Sequence, residues 1–180
     1  EETLHDIVEP LVYSQATELI GEHRARGEDV VVISASGEEL VKPIAAMLGV
    51  QHSVGTRMVI EDGRYTGEIE FYCFGEGKAA AIETLARLHG YDLASSYAYS
   101  DSSTDLPMLE AVGHPAVVNP SRGLHRIAVQ RQWPELTFSD PTALSAKLAS
   151  PSGGAVAATA LGLGVAAGAT WYGLRHKRAT

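Results

Sequence analysis

Residues 30–33 read Val-Val-Val-Ile, four β-branched side chains in a row with no polar residue among them. Successive side chains of a strand point to opposite faces, so a run that is apolar at every position needs apolar cover on both sides. A sheet with one wet face cannot use such a strand. Its neighbours in the sequence supply the cover. Residues 8–26 carry Leu11, Val12, Ala16, Leu19, Ile20 and His23 at helical spacing and stop at Gly27. A second helix is expected from about Glu38 to Leu48, closed by Gly49. A buried strand between two helices is the repeating unit of an α/β fold built on a parallel sheet.

The rest of the chain continues the pattern after one interruption. Thr56 to Ile60 and Tyr65 to Phe71 flank Asp62-Gly63, which predicts a β-hairpin inserted in the fold over residues 53–74. After Gly75-Glu76-Gly77, Lys78 opens an amphipathic helix through Ile82, Leu85 and Leu88 to Gly90. Ser96–Ser100 reads as a second buried strand, residues 106–112 as a short helix and Ala116–Val118 as a third strand. The expectation is a parallel sheet with helices on both faces. In such sheets ligands bind at the carboxyl ends of the strands, and Ser34 and Asp101 fall at two of those ends.

Composition narrows the functions open to this body. The chain has 180 residues, is 45% apolar and 20% charged, and has a single Cys, so it is neither a disordered tail nor a disulfide scaffold. Residues 1–148 hold 11 Lys and Arg against 22 Asp and Glu, a net charge of −11. That excludes nucleic acid as a partner, because duplex binding is driven by basic side chains on phosphates. A small anionic substrate then needs locally placed cations or a metal.

The last 32 residues carry +3 and no acid. Residues 149–154, with Pro151-Ser152-Gly153-Gly154, read as a linker. Residues 155–174 are an uncharged apolar run of 20, long enough to span about 30 Å as a helix, and residues 175–180 form a basic tail. Gly164 and Gly168 have the spacing that lets membrane helices approach closely, and Trp171 and Tyr172 suit an interface. The expectation is a C-terminal apolar helix and a membrane anchor; a buried Ala/Gly-rich helix or a tail is the plainer alternative. Arg175, Lys177 and Arg178 favour a cytoplasmic tail, which would put the acidic body on the other side of the membrane and conflicts with a cytoplasmic catalytic core. The chain opens on Glu1-Glu2-Thr3-Leu4, which reads as a piece of a protein whose start lies upstream.

Three polar features could carry chemistry. Ser34, followed by Ala35-Ser36-Gly37 and a helix, is placed to hold a phosphate; Ser36 is expected to cap that helix. Lys78 stands at a helix start, which does not favour a cation unless an anion is near, although an exposed surface Lys is the plain alternative. In Ser100-Asp101-Ser102-Ser103-Thr104-Asp105, Asp101 at a strand's end suits a hard cation such as Mg²⁺, while Asp105 could be a helix N-cap.

Ser, then Lys, then Asp-x-x-x-Asp, each beside a strand or helix end, resembles the haloacid dehalogenase superfamily of phosphohydrolases. Within it the chain is similar to the group related to phosphoserine phosphatase (subfamily IB), through ISAS at 33–36, GEGK at 75–78 and YSDSSTDLPML at 99–109. The likeness extends to LGVQHSVGTRM, DGRYTGEI and VGHPAVVNP, and so covers about residues 7–140. The resemblance implies a Rossmann-like parallel sheet and a Mg²⁺-dependent phosphatase that hydrolyses a small phosphomonoester through an aspartyl-phosphate. By it Ser34 would hydrogen-bond the transferring phosphoryl group, Lys78 would neutralise it, Asp101 would bind Mg²⁺, and Asp105 would support the metal's waters or Lys78. Thr104 stands where relatives often have Asn, and Ser102 where many have Gly.

The resemblance also marks an absence. The family's first motif, Asp-x-Asp after an apolar strand, supplies the nucleophile, and Asp6, Asp29, Asp62, Asp92 and Asp140 all lack a preceding buried strand. The helical cap that selects substrate is missing as well. Residues 1–148 are therefore expected to be a partial core, inactive and poorly stable alone, since the absent strand lies between those carrying Ser34 and Asp101 and its loss bares two edges. The alternative function is a non-catalytic, membrane-tethered phosphate-binding or scaffolding module. Seven scattered His have no ligand spacing, so no zinc is expected; Cys73 reads as a packed thiol, and Arg122, His125 and Arg126 as a solvated face.

Overall fold

The computed structural model describes residues 12–139 and, as backbone, 170–174. Helix α1 (Ser14–Ala25) leads into strand β1 (Asp29–Gly37), helix α2 (Glu38–Met47), and strands β2 (His52–Glu61) and β3 (Arg64–Phe71). Helix α3 (Glu76–His89), strand β4 (Tyr97–Ser100), helix α4 (Leu106–Glu110) and strand β5 (His114–Val118) follow. Helix α5 (Arg122–Arg131), strand β6 (Glu135–Leu136) and strand β7 (Thr170–Leu174) complete the described elements. The strands form one sheet in the order β3-β2-β1-β7-β4-β5-β6.

The β-branched run behaves as its pattern requires. Val31 and Ile33 enter a core with Ile82 of α3, Met108 and Leu109 of α4, Val117 of β5 and Leu124 of α5. Val30 and Val32, on the opposite face, enter a second core with Ile20 of α1 and Val41 and Ala45 of α2. At roughly 1.5–3 kcal/mol for each fully buried side chain, these four contribute on the order of 6–12 kcal/mol before entropy, which matches the whole net stability of an ordinary domain. The helices stop where glycines allow: Gly27, Gly49 and Gly90 take φ of 74°, 67° and 73° just past α1, α2 and α3.

The hairpin forms around Asp62-Gly63, with φ of 49° and 74° at the two turn residues. It is more than an insertion, because β2 also pairs parallel with β1, from Val31↔His52 to Gly37↔Thr56, and so extends the main sheet. Pairs β4/β5 and β5/β6 are likewise parallel.

The C-terminal expectation needs correction. Residues 155–169 of the expected apolar helix, and the linker and tail, lie outside the described residues, but Thr170–Leu174 form strand β7 and not a helix end. Among the described residues no helix is long and apolar enough to cross a membrane. Strand β7 runs antiparallel between β1 and β4, from Asp29↔Leu174 to Ile33↔Thr170 on one side and from Tyr97↔Gly173 to Tyr99↔Trp171 on the other. Both edges expected to be bare therefore carry ladder partners.

One polar group is sealed between α1 and the sheet. His23 is 2% exposed, with Nδ1 at 2.5 Å from Glu28 Oε2 and Nε2 at 2.8 Å from the Tyr99 hydroxyl, while Arg26 reaches the same Glu28 oxygen at 3.2 Å. Burial holds the imidazole below its ordinary value; the hydrogen bond to Glu28 offsets part of this and the Arg26 charge adds to it. Above about pH 6.5 the ring is neutral in both folded and unfolded chains. Below it the unfolded chain takes up a proton that the folded one resists, so stability falls as the pH drops from there through the lowered folded value. Denaturation midpoints measured from pH 7.5 to 5 will show this decline. His23→Gln will flatten it, and an equal slope in the variant would assign the effect to other groups.

Candidate active site

Strands β1 and β4 each pair antiparallel with β7, so they point the same way and their carboxyl ends emerge on one edge of the sheet. From β1 the chain goes outward to β2 and β3 on one side; β4, β5 and β6 lie on the other. In open α/β sheets the carboxyl ends at such a reversal of strand order are the place where ligands bind.

Four side chains line this edge. Ser34 stands near the end of β1 and is 7% exposed. Its Oγ accepts the Ser36 backbone N–H at 3.2 Å, which leaves the hydroxyl proton to donate elsewhere. The expected Ser36 cap does not form. Gly37 holds the N-cap position of α2, with no side-chain cap bond, because Ser36 is still within the extended strand.

Lys78 is the third residue of α3 and 3% exposed; Asp105 ends the short turn Ser103–Asp105 and is 0% exposed. The Lys78 ammonium lies 2.8 Å from both carboxylate oxygens of Asp105. The Ser100 hydroxyl donates to Asp105 Oδ2 at 2.7 Å and the Thr104 hydroxyl to Oδ1 at 3.5 Å. Asp105 occupies the N-cap position of α4 but makes no side-chain cap bond; its carboxylate is spent on Lys78 and two hydroxyls. A buried ion pair with its remaining oxygens satisfied is one that can persist.

The turn into α3 explains how an ammonium comes to be held there. Gly75, at φ 54°, is the N-cap, and a Cβ on Gly77 would overlap the Tyr72 carbonyl oxygen, so the first helical turn is pressed against the end of the hairpin. Lys78 follows at once and is directed inward.

Asp101 leaves β4 exposed, with its backbone carbonyl accepting the Ser121 N–H at 2.8 Å. Surrounding protein and the nearby Asp105 charge raise its carboxyl above the ordinary value, while its own backbone N–H and Lys78 pull it down. Cys73 is buried beside the same pair. Desolvation pushes its thiol up to about 11, against the pull of Lys78 and of a hydrogen bond from the Ser34 backbone. It is the packed thiol expected from the sequence and no nucleophile. Ser34, Lys78, Asp101 and Asp105 thus share one locality, linked through Cys73 and through mutual electrostatics.

Mg²⁺ is commonly held by one or two carboxylates with waters and substrate phosphate oxygens, and an exposed carboxylate at a strand's end fits as one such ligand. Asp101 meets that description, and Asp105, turned to Lys78, does not. Among the described residues no group of three or more His, Cys, Asp or Glu is placed to hold a metal ion. A cavity of about 220 Å³ lined by Arg24, Glu28, Asp29 and His52 lies at the amino-terminal ends of β1 and β2, away from the four residues. Ser100 escaped the sequence reading. The signal was there, since Ser34-Ala35-Ser36 and Ser100-Asp101-Ser102 repeat Ser-x-Ser at two strand ends, and in both the first hydroxyl accepts the third residue's N–H.

The chain is 58% identical over 178 residues to a Mycobacterium tuberculosis protein named "Probable phosphatase Rv3661", covering 98% of this chain and 62% of that protein. It is 35% identical over 170 residues to "Phosphoserine phosphatase SerB1" of the same species, covering 94% of this chain and 53% of that one. A crystal structure of a protein of unknown function from Bordetella pertussis Tohama I superposes with a TM-score of 0.70 at 37% identity, covering 75% of this chain and 62% of that one. The chain therefore spans less than two thirds of the length of these relatives. Residues 1–110 match the haloacid dehalogenase-like hydrolase model, the stretch that contains Ser34, Lys78, Asp101 and Asp105, and the chain belongs to that family.

Proposed function

We propose that the protein is a Mg²⁺-dependent phosphohydrolase that acts on a small phosphomonoester through an aspartyl-phosphate. What carries the reading is the buried Lys78–Asp105 pair, held at 2.8 Å on the same sheet edge as the Ser34 hydroxyl and the Asp101 carboxylate. Family membership and the phosphatase names of two relatives support it. Phosphoserine is one candidate substrate.

In this reading Ser34 donates its hydroxyl proton to a phosphoryl oxygen. Lys78 stabilises negative charge on the phosphoryl group, and Asp105, with Ser100 behind it, fixes where that ammonium points. Asp101 would hold Mg²⁺ together with phosphate oxygens, and the ion would offset the charge of the transferring group. The described residues supply no attacking carboxylate, so in this reading it comes from outside them. Donors aimed in advance at developing charge are each worth about 10²–10³ in rate.

Phosphate release by the full-length protein from phosphoserine and p-nitrophenyl phosphate, with and without Mg²⁺, tests this. The Mg²⁺-stimulated rate will fall about 100-fold or more in Asp101→Asn. Undiminished Mg²⁺-dependent turnover in that variant refutes the assignment. Phosphate binding without turnover in the unmodified full-length protein favours a binding module instead.

A further inference from the structure

The ladder between β1 and β2 breaks where the candidate site begins. The pairs run in step to Ile33↔Val54 and resume at Gly37↔Thr56, so three residues of β1, Ser34, Ala35 and Ser36, face only Gly55 on β2. The extra length bulges out of the ladder, and bulges beside active sites re-aim side chains. A bulge gives up regular hydrogen bonds, so something else must hold its shape.

Thr56 does so from the neighbouring strand. It is 6% exposed, and its hydroxyl donates to the Ala35 carbonyl, in the middle of the bulge, at 2.7 Å. The same oxygen accepts the Cys73 backbone N–H at 3.2 Å. The Cys73 thiol in turn donates to the carbonyl of Val54, the last residue in step before the break, at 3.9 Å, and Cys73 lies five residues before Lys78. One hydroxyl thereby joins the segment carrying Ser34 to the segment leading into the helix that carries Lys78.

We propose that Thr56 is a positioning residue for the phosphate site: through its bonds to Ala35 and Cys73 it sets where the Ser34 hydroxyl stands relative to Lys78. The inference rests on the phosphohydrolase reading, since it concerns how the same sheet edge holds a phosphoryl group. The chemistry distinguishes three replacements. Serine keeps the hydroxyl. Valine keeps the shape and removes both bonds, leaving a half-buried carbonyl and a buried N–H without this partner. Alanine removes the hydroxyl but leaves room for a water to bridge.

The test measures inorganic phosphate affinity by calorimetric titration, the split between KM and kcat wherever turnover is seen, and the thermal midpoint. Thr56→Ser will bind phosphate within about threefold of the unmodified protein, whereas Thr56→Val will bind about tenfold more weakly or worse, because small misplacements of a binding group carry large penalties. If the two variants bind phosphate alike and differ only in midpoint, the hydroxyl is merely structural and the proposal falls. Should Thr56→Val not fold, Thr56→Ala replaces it and will bind phosphate more weakly than Thr56→Ser, since a bridging water is held less firmly than the hydroxyl; equal affinity, or failure of both to fold while serine folds, overturns a positioning role. An unmodified protein that neither turns over phosphomonoesters nor binds phosphate sinks the phosphohydrolase reading itself and this inference with it. Equal binding by valine and serine beside intact binding in the unmodified protein sinks the inference alone.

Discussion

Asp105→Asn will destabilise the fold by about 3–5 kcal/mol, because it removes a buried carboxylate that contacts the Lys78 ammonium through both oxygens. Lys78 is 3% exposed and Asp105 0%, so water cannot take over the lost interaction without rearrangement. Lys78→Met removes the other partner, takes the ammonium away from a buried carboxylate that keeps its bonds from the Ser100 and Thr104 hydroxyls, and will cost a similar amount. Against a domain stability of about 5–15 kcal/mol, either change brings the protein close to unfolding at ambient temperature. The decisive comparison is the double variant Lys78→Met/Asp105→Leu. Replacing both ends of a buried pair with apolar side chains is often neutral for stability, so urea midpoints will recover toward the unmodified value. Phosphate release will not recover. It will stay about 10³-fold down, since in the proposed reading the Lys78 charge is what stabilises the phosphoryl group. A double variant as unstable as either single would show that the pair's worth to the fold is not electrostatic. A double variant that regained activity would remove Lys78 from the chemistry.

Gly77→Ala will act through the backbone. The added methyl would occupy the space of the Tyr72 carbonyl oxygen and come within 3.2 Å of its carbon, and neither atom is the flexible end of a side chain. The first turn of α3 must therefore move away from the end of the hairpin. Forced shifts of this kind cost about 1–3 kcal/mol, occasionally more. Lys78 is the next residue and will move with the turn; in the role proposed for it, a displacement of about 1 Å is worth about 10² in rate. The expected result is a lower midpoint together with a large fall in kcat. A Gly77→Ala protein with unchanged midpoint and activity would mean that the hairpin end yields freely and that the close approach is not what aims Lys78.

How much of this could be read beforehand differs by element. Val30–Ile33 announced a strand covered on both faces, and the alternation of Val31 and Ile33 with Val30 and Val32 between two cores is that statement in three dimensions. The hairpin at Asp62-Gly63 and the helix stops at Gly27, Gly49 and Gly90 were equally legible, because each depends on a few neighbouring residues. The N-cap of α2 was misassigned for the opposite reason. Ser36 has the right side chain for a cap, but pairing between β1 and β2 keeps the chain extended to Gly37, and that pairing is not local. The end of the C-terminal run was misread in the same way: its twenty uncharged residues meet the length for a membrane helix, yet the backbone of its last five, Thr170–Leu174, pairs with β1 and β4.

Sequence alone determined that this chain builds an α/β sheet and which four side chains were worth watching, because periodicity, turn dipeptides and motif order are written along the chain. Only the tertiary structure decided what those side chains touch. Lys78 and Asp105 are 27 residues apart, and Thr56 and Ala35 are 21 apart. Such pairs meet because strand order and a bulge in the ladder bring separate segments to one edge. A hydrogen bond or a buried charge pair is satisfied across a few ångströms of space, whatever the distance along the chain.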